Sequence, residues 1–344
     1  MQIQHNVSLA DHSTMRLGGP AAHLAIVTDQ MDVAAAMDWA RAQQVPVLMI
    51  GDGSNIVWRD EGYPGLVLVN QIERYESYPE DETNVYVTVG GGEHWDTVVE
   101  RTAQAGLTGI EALSLIPGTA GATPVQNVGA YGQEIAQTLV SVEAFDTQTN
   151  SFVTIPAQDC GFSYRGSRFK TTDRGRFFIT ALTLHLVKGN PQPPFYGSVQ
   201  DYFTEHMIKP AEVTPLVLRQ AVMAIRQSKL PDPAKVANNG SFFANPIVSN
   251  AELVRIRAGY PEAPAWTVDA TTAKLPAAWL IEQAGFKDFH DQATGMSTWP
   301  FQPLVLVNEH ATSTADLLKF KHQIVEAVQT KFGVTLEQEP ELLP

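Results

Sequence analysis

Leu115-Ile-Pro-Gly-Thr-Ala-Gly-Ala-Thr-Pro-Val-Gln-Asn-Val-Gly-Ala-Tyr-Gly132 contains four glycines, two prolines and no charged side chain. Gly118 and Gly121 allow backbone angles closed to other residues and let the main chain approach a ligand closely. Successive N–H groups in such a turn form an anion cradle without a lysine. Flanked by Ile116 and Val125, the stretch suits a pyrophosphate held against a hydrophobic body. An ordinary loop has a similar composition, so the reading depends on what accompanies it. Upstream, Gly51-Asp-Gly-Ser-Asn55 is a second glycine turn, and three polar clusters follow downstream.

The whole chain of 344 residues is long enough for two or three domains. Its 44% hydrophobic and 17% charged content is that of a globular protein. A lone cysteine, Cys160, excludes an internal disulfide and a cysteine metal cluster, and fits a reducing compartment. The N-terminus lacks a basic region followed by an apolar run, and no stretch nears the roughly 20 apolar residues of a membrane span. A cytoplasmic protein with no membrane partner is expected. The net charge of −14 argues against nucleic acid, whose binding needs a basic surface, yet leaves room for a small anionic ligand in a local pocket.

In chain order, Val7–Pro20 reads as a loop and His23–Val27 as a strand. Asp29 is placed to cap a helix over Gln30–Gln43, and Val47–Ile50 follows as a strand. The Gly51–Asn55 turn fails a Rossmann fingerprint, because Ile56 stands where the third glycine belongs and strand-like residues follow instead of a helix. Further strands are expected at Leu66–Val69, Val85–Val89, Ser141–Asp146, Phe152–Pro156 and Phe177–Leu186, with a helix over Glu93–Gln104. Such β-rich traffic points to an α+β fold rather than a doubly wound sheet. Gly189–Pro194 breaks the composition, a helix spans Pro215–Ser228, and Pro231-Asp-Pro233 marks a boundary. Beyond it, helices are expected near Ala251–Gly259, Ala277–Gly285 and Ser313–Lys331.

The three polar clusters are Gly161-Phe-Ser-Tyr-Arg-Gly-Ser-Arg168, Lys229-Leu-Pro-Asp-Pro233 and Asn238-Asn-Gly-Ser-Phe-Phe-Ala-Asn-Pro246. Taken singly, each reads as easily as a solvated turn. No histidine lies near Ser241 in sequence, Gly-x-Ser-x-Gly is absent, and the histidines lack metal-ligand spacing, which removes hydrolase and metalloenzyme readings.

Together, Ile50–Ile56, Ile116–Gly132, Tyr164-Arg165, Lys229–Pro233 and Gly240–Pro246 resemble, in order, the UDP-N-acetylenolpyruvoylglucosamine reductases. Pro194-Phe-Tyr-Gly-Ser198 resembles the tyrosine loop of the longer, type I members. The resemblance implies an α+β fold with a two-part FAD-binding region of the vanillyl-alcohol-oxidase (PCMH) kind. Its subdomains would be 1–70 and 71–229, the second completed by 333–344, with a substrate-binding domain at 230–332. It implies FAD held by Gly51, Gly53, Ser54, Asn55, Pro117, Gly118, Gly121, Ala122, Thr123, Asn127, Gly129 and Tyr131, and reduced by NADPH. The implied substrate is UDP-N-acetylglucosamine enolpyruvate, contacted by Tyr164, Tyr196, Lys229, Asn245 and Lys274, in a monomer of peptidoglycan synthesis. Hydride from flavin N5 would reach the enolpyruvyl methylene, Arg165 would polarise the carboxylate, and Ser241 would supply the proton. Glu339 is the implied acidic partner, with Glu337 and Glu341 as neighbouring alternatives. Trp299 departs from the pattern, standing where a histidine is common. Two other readings stay open, another FAD-dependent oxidoreductase of this fold and a flavin-binding homologue without turnover.

Overall fold

Helix α1 (Gln30–Gln43) begins where the Asp29 carboxylate accepts the Asp32 amide at 2.7 Å. This cap satisfies one of the amides that the first turn leaves without an internal partner. Gln44 then stops the helix in the left-handed region, at φ 57°. The computed structural model describes residues 1–344. These form two compact units, one of Met1–Val7, Ala21–Asp52 and Tyr63–Ser228, the other of Ser8–Pro20, Gly53–Gly62 and Lys229–Pro344.

The first unit carries two sheets. Strands Ile3–Ser8, Pro20–Val27, Tyr63–Asn70 and Val47–Ile50 lie in that spatial order. The last three are parallel, as a strand–helix–strand crossover requires. Val33, Ala36 and Ala40 of α1 pack on Ala25, Val27, Leu66 and Leu68. The other sheet is antiparallel, ordered Ser151–Pro156, Leu139–Asp146, Phe177–Lys188, Asn84–Gly90 and Tyr75–Pro79, with Leu107–Thr108 paired to Phe177–Lys188. Helix α2 (Trp95–Gln104) buries Trp95, Val98 and Val99 against Val85, Val87 and Val89 of that sheet. Helices α3 (Gly197–Glu205) and α4 (Pro215–Lys229) close around Val199, Phe203, Leu218 and Val222. The sequence reading missed α3, where Gly197 and Tyr196 suggest a loop, and it missed the edge strand Tyr75–Pro79.

Cys160 lies in the core of this unit and is 0% exposed. Burial pushes its thiol up to about 11, which suppresses the thiolate that reacts with alkylating agents. The native protein should therefore resist iodoacetamide at pH 8 for hours and label fully once denatured, as read by intact mass. Rapid native labelling would contradict the burial.

The second unit holds an antiparallel sheet ordered Ala237–Ser241, Gln302–Asn308, Met296–Trp299 and His290–Asp291. A small sheet of Ile247–Ser249, Thr272–Lys274 and Trp266–Thr267 joins it. Helices α5 (Asn250–Gly259), α6 (Ala277–Gln283) and α7 (Thr314–Phe332) cover one core that includes Phe242, Leu280, Leu306, Phe320 and Ile324. Ser249 and Glu252 form a reciprocal capping box at the start of α5. Expectation foresaw only helices here; the strands are short and interrupted by polar residues, so period-2 alternation is weak.

One expectation is corrected. The C-terminal strand Glu341–Leu343 does not join the sheets of residues 71–229, but pairs in parallel with Ile56–Trp58. There Leu343 is buried and Leu342 packs on the core that contains Val57. No helix is long and apolar enough to cross a membrane.

Candidate active site

In the first unit the Leu115–Gly132 segment winds around a glycine turn. Gly121 donates its N–H to the Gly91 carbonyl at 2.9 Å and Ala120 donates to the Glu93 carbonyl at 2.8 Å. A Cβ on Gly121 would stand 2.9 Å from the Gly91 oxygen, and one on Gly51 would collide with the Thr119 hydroxyl. These glycines are required by close backbone packing. The anion cradle expected from the sequence is thereby narrowed. The amides of Ala120, Gly121, Ala122 and Thr123 all donate to protein carbonyls, so they are not donors for a phosphate.

Leu115 (φ 55°), Asn127 (φ 46°) and Tyr131 (φ 48°) in this segment, and Arg165 (φ 54°) bonded to it, are among the side-chain-bearing residues of this unit in the left-handed region. Such conformations persist where the surroundings over-determine them, and they gather at functional sites. Buried Asn127 donates to Glu134 Oε2 (2.8 Å) and the Ser163 carbonyl (3.1 Å) and accepts from the Ala136 amide (3.1 Å). Its side chain thus ties the segment to the loop that carries Tyr164 and Arg165. Arg165 Nη2 donates to the Gly129 carbonyl at 2.8 Å, and its guanidinium lies 5.1 Å from the Tyr164 ring centre. Tyr131 and Tyr196 meet edge to face at 5.7 Å. The structure therefore brings together Arg165, Tyr164, Gly129, Asn127, Tyr131 and Tyr196. Thr123 turns its hydroxyl back to the Ala120 carbonyl, which shapes the turn, and Pro117 and Ala122 lie on its exposed side.

A buried network that sequence reading missed fixes the start of this segment. Asp96, in the first turn of α2, accepts both guanidinium nitrogens of Arg219 at 2.5 and 2.9 Å and the Leu115 amide at 2.6 Å. Burial works against the charged form, but the Arg219 pair and the Leu115 amide outweigh it and hold the Asp96 carboxyl below its ordinary value. Arg219 is 5% exposed. Asp96→Asn leaves that cation uncompensated, so it should destabilise the protein by about 3 kcal/mol at pH 7, as measured by denaturant unfolding. A folded-state value below the unfolded one stabilises at pH above about 4 and loses that contribution as pH falls further. The variant should accordingly have a shallower acid limb; a wild-type limb would contradict the pairing.

In the second unit, Gly53 holds φ 70°, and a Cβ there would collide with the His12 carbonyl. The Gly53–Asn55 turn is tied to the Ser241 strand by Asn239. This buried amide donates to Thr14 Oγ1 (3.3 Å) and to the carbonyls of Ser54 (3.4 Å) and Ile56 (3.1 Å). Gly240 (φ 67°) turns the strand so that Ser241 pairs with Val305 after a register shift. Glu339 runs alongside, with its amide donating to the Phe242 carbonyl at 2.9 Å and Gln338 bridging Phe243. Ser241 and Glu339 are thus on neighbouring antiparallel segments, while Glu337 and Glu341 pair by their amide or carbonyl with Ala244 and Asn55. Asn245 Oδ1 accepts the Ala277 amide at 2.9 Å at the start of α6. Lys274 Nζ lies 5.9 Å from the Trp266 ring centre, and exposed Lys229 ends α4.

The expected site residues fall in both units, the glycine turns Gly51–Asn55 and Leu115–Gly132 among them. Small residues along Leu115–Gly132 leave room for a dinucleotide where longer side chains would not. Residues 21–154 match the FAD binding domain family, and residues 232–343 match the C-terminal domain of UDP-N-acetylenolpyruvoylglucosamine reductase. Fold and site therefore define an FAD-dependent oxidoreductase of two-part flavin-binding architecture, α+β throughout.

The UDP-N-acetylenolpyruvoylglucosamine reductase of Alcanivorax borkumensis is 40% identical over 339 residues, covering 98% of this chain and 96% of that one. That of Shigella boydii is 36% identical over 334 residues, covering 97% and 95%. The crystal structure of the Thermus caldophilus reductase (MurB) superposes with a TM-score of 0.68 at 24% identity, covering the whole of both chains. The chain belongs to the UDP-N-acetylenolpyruvoylglucosamine reductase family, the FAD-dependent reductases of peptidoglycan synthesis.

Proposed function

We propose that the protein reduces UDP-N-acetylglucosamine enolpyruvate to UDP-N-acetylmuramate with NADPH as the electron source, acting as a cytoplasmic monomer. Residues 1–70 and 71–229 would hold FAD, chiefly through Gly51, Gly53–Asn55 and the Pro117–Tyr131 segment. Residues 230–332 would hold the UDP-sugar. Bound FAD supplies a hydride, received from NADPH, to the methylene carbon of the enolpyruvyl ether. The electron pair displaced from the carbon–carbon double bond moves toward the carboxylate and forms an enolate. Arg165 answers that charge with a fixed guanidinium, already oriented by the Gly129 carbonyl at 2.8 Å. Ser241 Oγ gives its proton to the adjacent carbon, completing the saturated lactyl ether. A hydroxyl is a weak acid in water, so the step relies on the strong basicity of the enolate. Glu339, when protonated, donates a hydrogen bond to the enolic carboxylate. Lys229 supplies charge for the diphosphate or the reacting carboxylate, with Tyr164, Tyr196, Asn245 and Lys274 as further substrate contacts.

The observation that carries this reading is the pairing of the Ser241 strand with the Glu339 segment, through Glu339 N–H and the Phe242 carbonyl at 2.9 Å. A proton donor and an acidic group on adjacent backbones suit an enolate that takes one proton at carbon and one hydrogen bond at its carboxylate. The test is the visible spectrum of the purified protein, followed anaerobically. Bleaching by NADPH and recovery on adding the enolpyruvyl sugar is the expected result. A flavin that bleaches without recovering would point to another acceptor, and a protein unable to take up FAD would overturn the reading.

A further inference from the structure

We propose that Lys321 is a positioning residue for Glu339, acting through the side chain of Gln338. The proposal rests on the reading of Glu339 as the acidic partner in the reduction. Lys321 Nζ, on α7, donates to Gln338 Oε1 at 3.0 Å, and Gln338 Nε2 donates to the Pro340 carbonyl at 2.7 Å. An ammonium only donates and an amide oxygen only accepts, so the lysine fixes which way round the Gln338 amide stands. The amide so oriented spans residue 339 and takes the carbonyl of the residue beyond it.

Residues 334–340 alternate. Val334, Leu336 and Pro340 are buried while Thr335 and Glu337 are exposed, the period of an extended chain with one face on a core. Gln338 falls on the inward face and Glu339 on the outward one. Val334 and Leu336 join the core that holds Phe320 and Ile324 of α7, but at Gln338 the helix offers Lys321 instead. Burial holds the Lys321 pKa below its ordinary value, and its bond goes to a neutral amide rather than a carboxylate. As core packing alone this pair is costly. Its place in the chain supplies the reason. The Ala244 N–H donates to the Glu337 carbonyl and the Glu339 N–H to the Phe242 carbonyl, both at 2.9 Å, which ties the segment to the stretch following Ser241. Pro340 has no N–H to continue that ladder. The next amide, Glu341, donates instead to the Asn55 carbonyl at 3.0 Å. Glu339 therefore stands where the chain changes partners, and the Lys321–Gln338 pair braces that junction from its inner side.

Five variants of the full-length flavoprotein test this: Lys321→Met, Lys321→Arg, Gln338→Met, Glu339→Gln and the double variant Lys321→Met with Glu339→Gln. Stopped-flow absorbance reads bleaching by NADPH and recovery with the enolpyruvyl sugar, and amide hydrogen exchange is followed across residues 337–341. Loss of the donor should slow recovery about tenfold in Lys321→Met, the order of one hydrogen bond, and speed exchange of the Glu339 amide while bleaching keeps its normal rate. Lys321→Arg, which keeps a donor on a long stem, should recover most of the loss. Gln338→Met breaks the same connection at its other end and should match Lys321→Met. In the Glu339→Gln background, itself slowed, Lys321→Met should slow recovery no further, because both changes act at one side chain. Equal slowing of bleaching and recovery, or a full tenfold loss added to that of Glu339→Gln, would mark a general structural role and overturn the proposal. Wild-type recovery in Lys321→Met beside a slowed Glu339→Gln would also overturn it. Glu339→Gln recovering at the wild-type rate would instead overturn the reading of Glu339, and the positioning role with it. If Lys321→Met fails to fold, Gln338→Met decides alone: slowed recovery with normal bleaching upholds the proposal, and wild-type recovery overturns it.

Discussion

Ser241→Ala is expected to leave NADPH-driven bleaching of the flavin band at its normal rate and to slow recovery with the enolpyruvyl sugar by about 10²- to 10⁴-fold, the usual worth of a positioned proton donor. The serine sits on the strand Ala237–Ser241, just after Gly240 (φ 67°) and beside the Glu339 segment. Deleting one hydroxyl from a half-buried strand residue that pairs by its backbone alters little packing. Stability should stay within about 0.5 kcal/mol of wild type, as for substitutions outside the core. The effect therefore separates chemistry from folding, and Ser241→Cys, which retains a dissociable proton, should lie between the two. Stopped-flow spectroscopy of each half-reaction is the measurement. Recovery of Ser241→Ala at the wild-type rate would remove the serine from the proton-transfer step.

Arg165→Met should lower the rate of the same half-reaction by about 10²- to 10³-fold, the range seen when a fixed donor to a developing oxyanion is removed. The argument is structural as well as chemical. A residue held at φ 54° with its guanidinium directed to the Gly129 carbonyl is kept there at a conformational expense of order 1 kcal/mol. That angle closes the Ser163–Gly166 turn, whose two amides bond each other's carbonyls at 3.0 and 3.1 Å, and so fixes where the partly buried Arg165 stands beside Tyr164. Arg165→Lys should recover little, because an ammonium on a flexible stem lacks the planar fork. Equal losses in both half-reactions would indicate damage to the flavin site, and an unchanged rate would exclude the arginine from charge stabilisation.

Residues near one another in the chain were the easiest to read. Helix α1 begins and ends as expected because its cap, Asp29, acts on an amide three residues away and its core positions repeat every three to four. The glycine turns were legible for a related reason, since a positive φ or a close backbone approach excludes nearly every other residue. The strand Ala237–Ser241 was not, because Asn-Asn-Gly-Ser has the composition of a turn. Only pairing with Gln302–Asn308 and the bonds of Asn239 to Ser54 and Ile56 make it a strand.

Local spacing and turn chemistry, then, were enough to specify the α+β class, most of the helices and the two glycine turns, while the residues worth testing as catalysts came from the family resemblance. Tertiary structure alone decided that Glu341–Leu343 pairs with Ile56–Trp58, and that Asp96 meets an arginine 123 residues away. It also decided that the amides of residues 120–123 serve the fold rather than a ligand. The physical reason is common to all three. Hydrogen-bond partners distant in the chain are chosen by which backbones and charges become buried side by side, and buried polar groups must find partners wherever packing places them.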